Sequence, residues 1–239
     1  MTAPFSETAE VYDLLYEAAG KDYAAEAGDL HRLIQSFRPG AATLLDVACG
    51  TGAHLARMRR WYEVAGADIE PAMVAEARRR NPGVEVAETD MRALALGRRF
   101  DAVTCLFSSV AYGDALDAAV AALAAHLAPG GVLVLDGWIR PGDWLDEMPP
   151  HALSARSPDG ALAACRVGHS TRDGRHTHLD LQYLIGRTGR PTVHVVEHHE
   201  LTLFTDEEYR AAFTRAGLTV EIVPGPFVER GRYAGVAPS

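Results

Sequence analysis

Small residues cluster in one short stretch of the sequence, A-C-G-T-G at 48–52, between an apolar run and a helix-like segment. Glycine has no Cβ, so Gly50 and Gly52 allow a sharp turn and a close approach of a ligand to the backbone. A dinucleotide-binding loop has the pattern G-x-G-x-x-G, which places a pyrophosphate at the N-terminus of a helix. Neither register matches, because the third glycine position falls on Leu55 or on Ala53. The loop therefore favours a ligand that has a ribose and a small zwitterion but lacks phosphates.

Acidic and aromatic residues follow the next three predicted strands. Asp68 ends the strand after the glycine loop, where a carboxylate can accept both hydroxyls of a ribose. Asp90 follows the third strand and can accept an adenine amino proton, while Met91 packs on the ring. Phe107 ends the fourth strand, and the strand ends of a doubly wound sheet meet at one ligand-binding rim. The predicted cofactor-binding residues of this rim are Ala48, Gly50, Gly52, Asp68, Ile69, Asp90, Met91 and Phe107.

Alternating strands and helices must position these residues. Strands are predicted at 43–48, 63–68, 84–90, 101–107 and 130–138, and helices at 53–60, 71–80 and 114–127. The P-G-G triplet at 129–131 is expected to end the last of these helices. Because the strands are continuous apolar runs, the pattern predicts a parallel sheet with helices on both faces.

The remaining segments extend this pattern at both ends. Helical spacing over residues 6–36, interrupted by Gly20, predicts two N-terminal helices. Apolar and polar residues alternate over 161–204, which is typical of an antiparallel sheet. A helix is predicted from the N-cap Thr205 to Gly217. Two strands close the chain, at 219–225 and 231–237. The predicted fold class is α/β, a doubly wound, mostly parallel, Rossmann-like sheet of seven strands with an antiparallel β insertion.

The composition limits the classes of function. A net charge of −9 and a pI of about 5.5 argue against a nucleic-acid-binding surface, which needs basic patches. No apolar run approaches the ~20 residues that span a bilayer, and the N-terminal sequence lacks the features of an export signal. The three cysteines are odd in number and form no CxxC pair. This cysteine usage indicates a reducing, cytoplasmic location. Because long apolar runs are missing, we expect no membrane partner.

Several motifs together resemble those of class I S-adenosylmethionine (AdoMet) methyltransferases: LLDVACGTG, GADIEPAMVAEAR, ETDMR and FDAVTCLFSSVAY. Four other stretches are similar to a narrower group, the sugar-nucleotide N-methyltransferases: VYDLLYEAAGKDYAAEAGDL, CRVGHSTRDG, ELTLFTDEEYRAAFTRAGL and ERGRYAGVA. Members of that group complete dimethylamino-deoxysugars such as the desosamine and mycaminose of macrolide antibiotics. The resemblance covers nearly the whole chain. It implies AdoMet as the cofactor and double methylation of the amino group of a TDP-linked deoxyamino sugar.

The same resemblance implies a division of the chain. Residues 1–137 and 205–239 would form the AdoMet-binding domain, with the N-terminal helices as a lid over the cofactor. Residues 138–204 would form the antiparallel insertion and part of the substrate site. Within the lid, Tyr12 and Tyr23 are expected to face the cofactor, and Tyr16 is expected to pack in the core.

Tyr112 is the predicted catalytic residue. It follows the fourth strand, at a position where the family can carry histidine, and we expect it to orient the amine or to accept a hydrogen bond from it. A strong base is not required, because a sugar amine has an accessible neutral fraction. The alternative is a tyrosine at the rim that only covers the cofactor.

The resemblance also assigns substrate contacts. Arg230 would meet the diphosphate with its guanidinium fork, which suits phosphate oxygens. The alternative is that Arg230 and Arg232 are solvated arginines at a surface turn. His169 lies in a matching stretch and is expected to line the substrate site, while Trp138 and Trp144 are expected to wall the sugar pocket.

Other interpretations stay open at this point. A methyltransferase for another small-molecule N- or O-nucleophile would not bind TDP, and a cofactor-binding module would bind AdoMet without turnover. A dehydrogenase is disfavoured by the missing glycine of the loop. The histidines of the antiparallel segment, among them His176, His178, His198 and His199, are interpreted as exposed residues rather than metal ligands. The assembly is not fixed by the sequence, with a homodimer as one option.

Overall fold

The computed structural model describes residues 5–225 and 230–239 of the chain. The helices are α1 (Ala9–Ala18), α2 (Tyr23–Phe37), α3 (Ala53–Met58), α4 (Pro71–Arg80), α5 (Leu116–Ala125) and α6 (Asp206–Arg215). The strands are β1 (Thr43–Val47), β2 (Glu63–Asp68), β3 (Glu85–Glu88), β4 (Phe100–Cys105), β5 (Leu127–Ile139), β6 (His151–Arg156), β7 (Leu162–Asp173), β8 (His176–Arg187), β9 (Val193–Thr202), β10 (Thr219–Val223) and β11 (Arg230–Val236).

The larger sheet has seven strands in the order β10-β11-β5-β4-β1-β2-β3. Strands β1 to β5 are parallel, whereas β11 is antiparallel to both β5 and β10. The chain winds outward from β1 through β2 to β3 and then returns to β4 on the other side of β1. Carboxyl ends of strands at such a reversal open the crevice in which ligands bind. This architecture confirms the fold class predicted from the sequence.

Apolar side chains cover both faces of the larger sheet. On one face, α2, α3 and α4 contribute residues such as Ile34, Leu55 and Val74 to a core beneath β1 and β2. On the other face, α5 and α6 contribute Leu123 and Phe213. None of the helices in the described ranges is long and apolar enough to cross a bilayer.

The second sheet is antiparallel and has four strands in the order β6-β7-β8-β9. Its inner face packs on α1, where Val11 and Leu15 meet Tyr183 and Ile185 in a core of their own. Helix α1 is therefore held by the antiparallel sheet, which places its remaining faces over the rim of the larger sheet.

The bounds of several elements differ from those predicted, and one helix end and one unpredicted strand differ most. The helix predicted at 114–127 ends at Ala125, because the backbone of Leu127 pairs with Phe100 and already belongs to β5. Strand β6 was not predicted, since its residues are mostly exposed and alternate only weakly. Neither difference moves a residue of the predicted site.

Candidate active site

The glycine loop between β1 and α3 has left-handed backbone conformations at three positions. The φ angle is 56° at Ala48, 54° at Gly50 and 72° at Gly52. A Cβ on Gly52 would lie 2.5 Å from Nδ2 of Asn81 and 3.1 Å from the Cα of Ala77, so only glycine fits between the loop and α4. Asn81 Nδ2 in turn donates to the Gly52 carbonyl at 3.0 Å. These contacts fix the loop against the end of α4.

Asp68, at the end of β2, closes this loop from the other side. Its carboxylate accepts hydrogen bonds from the backbone N–H of Gly50 at 2.8 Å and of Glu70 at 2.9 Å. Burial raises the pKa of Asp68, although these backbone hydrogen bonds act in the opposite direction. A carboxylate has about four lone-pair positions. It therefore keeps acceptor capacity for the hydroxyls of a ribose placed beside the loop.

A second carboxylate, which the sequence analysis did not identify, supports the loop from α1. Asp13 accepts from the Thr51 hydroxyl at 2.7 Å and from the Tyr23 hydroxyl at 2.7 Å, and it forms an ion pair with Arg80 at 2.6 Å. Tyr23 is only 6% exposed. Its hydroxyl is thus engaged in supporting the loop. That Tyr23 also faces the cofactor stays a prediction. Sequence periodicity shows Asp13 only as a polar residue in a helix.

The other predicted residues at the ends of β2 and β3 differ in exposure. Ile69 is 62% exposed beside Asp68, and Met91 packs partly on the core. Asp90 forms an ion pair with Arg92, whose side-chain hydrogen bonds lower the pKa of the Asp90 carboxyl. The carboxylate of Asp90 is therefore ionised and able to accept a hydrogen bond from a donor such as an adenine amino group.

Phe107 lies just beyond β4 in a strained backbone conformation, with φ 56°, and Ser108 follows with φ 68°. The Phe107 N–H donates to Asp136 at 3.0 Å, which holds the strained turn. The ring receives the edge of Tyr16 at 5.2 Å and the ammonium of Lys21 at 4.2 Å. Left-handed conformations of non-glycine residues concentrate at functional sites. Among the described residues with them are Ala48, Phe107 and Ser108, all along this rim.

Aromatic side chains of α1 cover the rim. The rings of Tyr12 and Tyr16 lie 4.8 Å apart, and the Tyr16 hydroxyl accepts from Arg166 Nη1 at 3.1 Å. Residues four apart share one face of a helix, so Tyr12 and Tyr16 face the rim while Leu15 fills the core. The expectation that Tyr16 packs in the core is therefore wrong, because its ring is half-buried against Phe107.

Tyr112 stands beyond β4 with 40% of its surface exposed. Its hydroxyl lies 2.9 Å from Nδ1 of His199, and Nε2 of His199 lies 3.0 Å from Oε2 of Glu197. His199 is 4% exposed and Glu197 is 3% exposed. The interpretation of His199 as an exposed residue is thus wrong, since it shares the inward face of β9 with Val195 and Leu201. The alternation of inward and outward residues along β9 was the signal in the sequence that could have indicated the burial of His199.

Arg230 and Trp138 come together at the same rim. The guanidinium of Arg230 lies 4.6 Å from the Trp138 ring and 5.4 Å from the Phe107 ring, and it donates to the Ser108 hydroxyl at 3.4 Å. Arg232 is buried and makes two hydrogen bonds to Asp136, at 2.6 and 3.1 Å. Arg232 is therefore a structural partner of Asp136 and not a solvated arginine.

His169 does not join this group, whereas Trp144 is buried in a small cluster against which Trp138 packs. His169 is exposed on the outer face of β7, opposite the inward-facing Arg166. It lines an open groove of about 680 Å³ together with Trp144 and Arg172. Successive residues of a strand point to opposite faces, so His169 lies on the other face of β7 from Arg166. That His169 lines the substrate site stays a prediction.

Comparisons with known proteins show what this chain is similar to. A methyltransferase domain model matches residues 44–131, which include the glycine loop, Asp68, Asp90 and Tyr112. The chain is 44% identical over 234 residues to a Streptomyces fradiae dTDP-3-amino-3,6-dideoxy-alpha-D-glucopyranose N,N-dimethyltransferase, covering 96% of this chain and 91% of the relative.

Two solved structures are similar over almost the full length. Streptomyces venezuelae DesVI is 41% identical with a TM-score of 0.90, over 98% of this chain and 99% of that chain. A SAM-bound amino pentose methyltransferase of calicheamicin biosynthesis from Micromonospora echinaspora is 42% identical with a TM-score of 0.83, over 95% of this chain and 96% of that chain.

The fold and the rim define a class I, AdoMet-dependent methyltransferase. Within that class, the chain belongs to the family of sugar N-methyltransferases that includes the TDP-aminodeoxysugar N,N-dimethyltransferases.

The residues of the rim fit AdoMet. Gly50 has open space where a Cβ would stand, so a ligand can approach its backbone. The ionised Asp90 and the acceptor oxygens of Asp68 suit adenosine. The faces of aromatic rings attract a cation such as a sulfonium, and the Tyr12 ring lies beside Tyr16 over the rim. The predicted cofactor thus has a partner for its nucleoside and its charge.

Proposed function

We propose that this enzyme methylates the amino group of a TDP-linked deoxyamino sugar in antibiotic biosynthesis. The observation that carries the proposal is the position of the Phe107 ring, between Tyr16 over the cofactor side of the rim and Arg230 on β11. A cationic site for a diphosphate thus adjoins the cofactor site. Relatives that share 41–44% of the sequence over nearly its whole length include an enzyme named for such a substrate.

Positioning of the amine would supply most of the rate enhancement. AdoMet supplies a methyl group on a sulfonium, which is an excellent leaving group. The chain therefore has to hold a neutral nitrogen in line with that methyl group, and such orientation can contribute about 7–11 kcal/mol. Tyr112 would orient the amine, because its hydroxyl is fixed by His199 at 2.9 Å while its ring remains accessible.

Arg230 and Trp138 would hold the nucleotide half of the substrate. The guanidinium fork of Arg230 matches two oxygens of a diphosphate. Packing against Trp138, at 4.6 Å, orients that fork and leaves less side-chain entropy to lose on binding. The Trp138 indole N–H donates to the Thr177 hydroxyl at 3.1 Å, which fixes the ring as a wall.

The division of the chain is part of the proposal. Residues 1–137 and 205–239 would bind AdoMet, and residues 138–204 would complete the substrate site. Two residues of the antiparallel sheet reach the rim: Arg166 contacts Tyr16, and His199 contacts Tyr112. The N-terminal helices would act as a lid, since the rings of Tyr12 and Tyr16 in α1 lie over the rim.

The experiment is a methylation assay with AdoMet and a panel of TDP-3-amino and TDP-4-amino deoxysugars. Mass spectrometry would detect addition of one or two methyl groups, and S-adenosylhomocysteine would be measured in parallel. We expect turnover of at least one TDP-amino sugar and none of its TDP-hydroxy analogue. Turnover of amines without a nucleotide at equal efficiency would contradict the proposed substrate class.

Location and assembly complete the proposal. The free thiols Cys49 and Cys105 are buried, which is compatible with a cytoplasmic location. Val167 and Leu184 are 52% and 54% exposed on the outer face of the antiparallel sheet, and exposed apolar patches favour association. A homodimer through this face should be detected by sedimentation and should dissociate in a Val167→Asp variant.

A further inference from the structure

A chain of three hydrogen-bonded side chains leads from the partly exposed Tyr112 to the buried His199 and Glu197 of the antiparallel sheet. Tyr112 contacts Nδ1 of His199 at 2.9 Å, and Nε2 of His199 contacts Glu197 at 3.0 Å. Glu197 also accepts from the Thr8 hydroxyl at 2.5 Å and from the Phe5 N–H at 2.8 Å. Positioning the hydroxyl of Tyr112 requires only one neutral hydrogen-bond partner. The chain adds a buried carboxylate to that partner, and this carboxylate is placed to stabilise a positive charge on His199.

The charge of Glu197 determines the direction of these hydrogen bonds. Burial alone would raise the pKa of Glu197, but hydrogen bonds from His199, Thr8 and Phe5 outweigh it and lower the pKa. An ionised carboxylate only accepts, so Nε2 of His199 must carry the proton. In a neutral imidazole Nδ1 is then the acceptor, and it accepts the hydroxyl proton of Tyr112.

The groups around Tyr112 keep it from storing a negative charge. Burial of its hydroxyl, followed by repulsion from neighbouring acidic groups, raises the pKa of Tyr112 well above its usual value. The titratable groups that face Tyr112 and His199 come from five elements: Tyr12 and Tyr16 of α1, Asp68 of β2, Arg166 of β7 through Tyr16, Tyr183 of β8 and Glu197 of β9. Tyr112 can therefore give its own proton to His199 only in the same step in which it takes a proton from the substrate.

We propose that Tyr112, His199 and Glu197 form a proton relay that removes the proton from the methylated amine of the substrate. The inference rests on the proposed function, because it requires an amine at Tyr112. Tyr112 would be the catalytic residue in contact with the substrate, and His199 and Glu197 would be positioning residues that act through it.

Addition of a methyl group to a neutral amine leaves an ammonium, which has no lone pair for a second transfer. Its N–H bond breaks and an O–H bond forms on Tyr112, while the original Tyr112 proton moves to Nδ1 of His199. The products are a neutral amine and an imidazolium paired with the Glu197 carboxylate. The imidazolium later releases its proton to solvent water.

Three conservative variants test the relay. Tyr112→Phe removes the hydroxyl, and His199→Gln keeps a polar side chain that cannot take a proton. Glu197→Gln keeps an acceptor oxygen for Thr8 and Phe5 but removes the charge. The matched control is His198→Gln, since His198 is the next residue of β9, points outward and pairs with Asp180 on the surface.

The first measurement is the pH dependence of kcat and the ratio of monomethylated to dimethylated product. We expect His199→Gln to lower kcat at neutral pH by on the order of 10²-fold and to accumulate monomethylated product. The loss should disappear as the pH rises above the pKa of the methylated ammonium, because that group then loses its proton to solvent without the relay. The control variant should retain the wild-type profile.

The second measurement uses the free protein and does not depend on activity. With ¹⁵N-labelled histidine, NMR should show His199 protonated at Nε2 and bare at Nδ1, and Glu197→Gln should change these shifts. Protonation at Nδ1 in the neutral wild-type ring would overturn the relay. An equal loss of kcat at every pH in His199→Gln would also overturn the relay, because it would indicate that His199 has only a structural role. If wild-type protein methylates no TDP-amino sugar, the proposed function fails, whereas the NMR result still reports on the relay itself.

Discussion

Replacement of Asp68 by asparagine tests the cofactor site most directly. In the structure the two carboxylate oxygens of Asp68 accept from the N–H groups of Gly50 and Glu70, at 2.8 and 2.9 Å. Asparagine has the same shape, but its NH₂ group must face one of these two N–H groups. The variant therefore loses one hydrogen bond to a backbone amide and also loses acceptor capacity toward the ribose.

The magnitudes of the two effects differ. Hydrogen bonds to a charged group contribute about 1.5–3 kcal/mol each. In the free protein this loss is partly offset, because burial raises the pKa of Asp68 and the neutral amide avoids that cost of burying a charge. In the complex with AdoMet, the variant also loses hydrogen bonds from the ribose hydroxyls to residue 68, and nothing compensates for this second loss. We therefore expect AdoMet Kd to rise at least about tenfold, or ~1.4 kcal/mol, with a smaller change in the free energy of unfolding.

Titration calorimetry with AdoMet and with S-adenosylhomocysteine measures the first quantity, and urea unfolding measures the second. Glu63→Gln is the matched control, because Glu63 begins the same strand β2 and its side chain is 73% exposed in a surface ion pair with Arg98. Its Kd should equal that of the wild type. An unchanged Kd in Asp68→Asn would refute the ribose assignment, and equal losses in binding and stability would show that Asp68 only stabilises the loop.

Further predictions concern Asp46, Arg230 and Thr205. Burial raises the pKa of Asp46 to about 6, so its contribution to stability is full below about pH 4 and is lost as the pH rises through about 6. The free energy of unfolding of Asp46→Asn in urea, relative to wild type, should therefore increase by ~1–3 kcal/mol across this pH range, and a pH-independent difference would contradict the prediction. Arg230→Ala should raise KM for the TDP-sugar about 10- to 100-fold in steady-state kinetics while AdoMet Kd stays unchanged, as expected for loss of a charged hydrogen bond. Thr205 forms a capping box with Glu208, so Thr205→Ala should lower the free energy of unfolding by ~1 kcal/mol, whereas Thr214→Ala on the same helix should stay within about 0.5 kcal/mol.

The edge of the sheet at which Gly50 and Asp68 meet could be predicted, because it depends on neighbouring strand ends. Gly50 and Asp68 end up in hydrogen-bond contact since β1 and β2 pair in parallel along their whole length. Asp90 and Phe107 reach the same edge by the same rule. Helix boundaries were less well predicted: Leu127 has helical spacing, but pairing with Phe100 places it in a strand.

Predictions failed where a side chain depends on the packing of two separate surfaces. Tyr16 fits a core position by its spacing, yet the inner face of the antiparallel sheet takes Val11 and Leu15 instead and turns Tyr16 toward Phe107. His199 was interpreted as a surface residue, yet it lies on the inward face of β9 with Val195 and Leu201.

The sequence by itself determined the parallel sheet, the glycine loop and the order in which acidic residues reach its edge. These features follow from local apolar periodicity and from the fixed pairing of consecutive strands. The tertiary structure alone decided that His199 lies against Tyr112, which is 87 positions away in the chain. Such a contact depends on how the antiparallel sheet docks on α1 and the rim, and side-chain packing between distant surfaces leaves no period in the sequence.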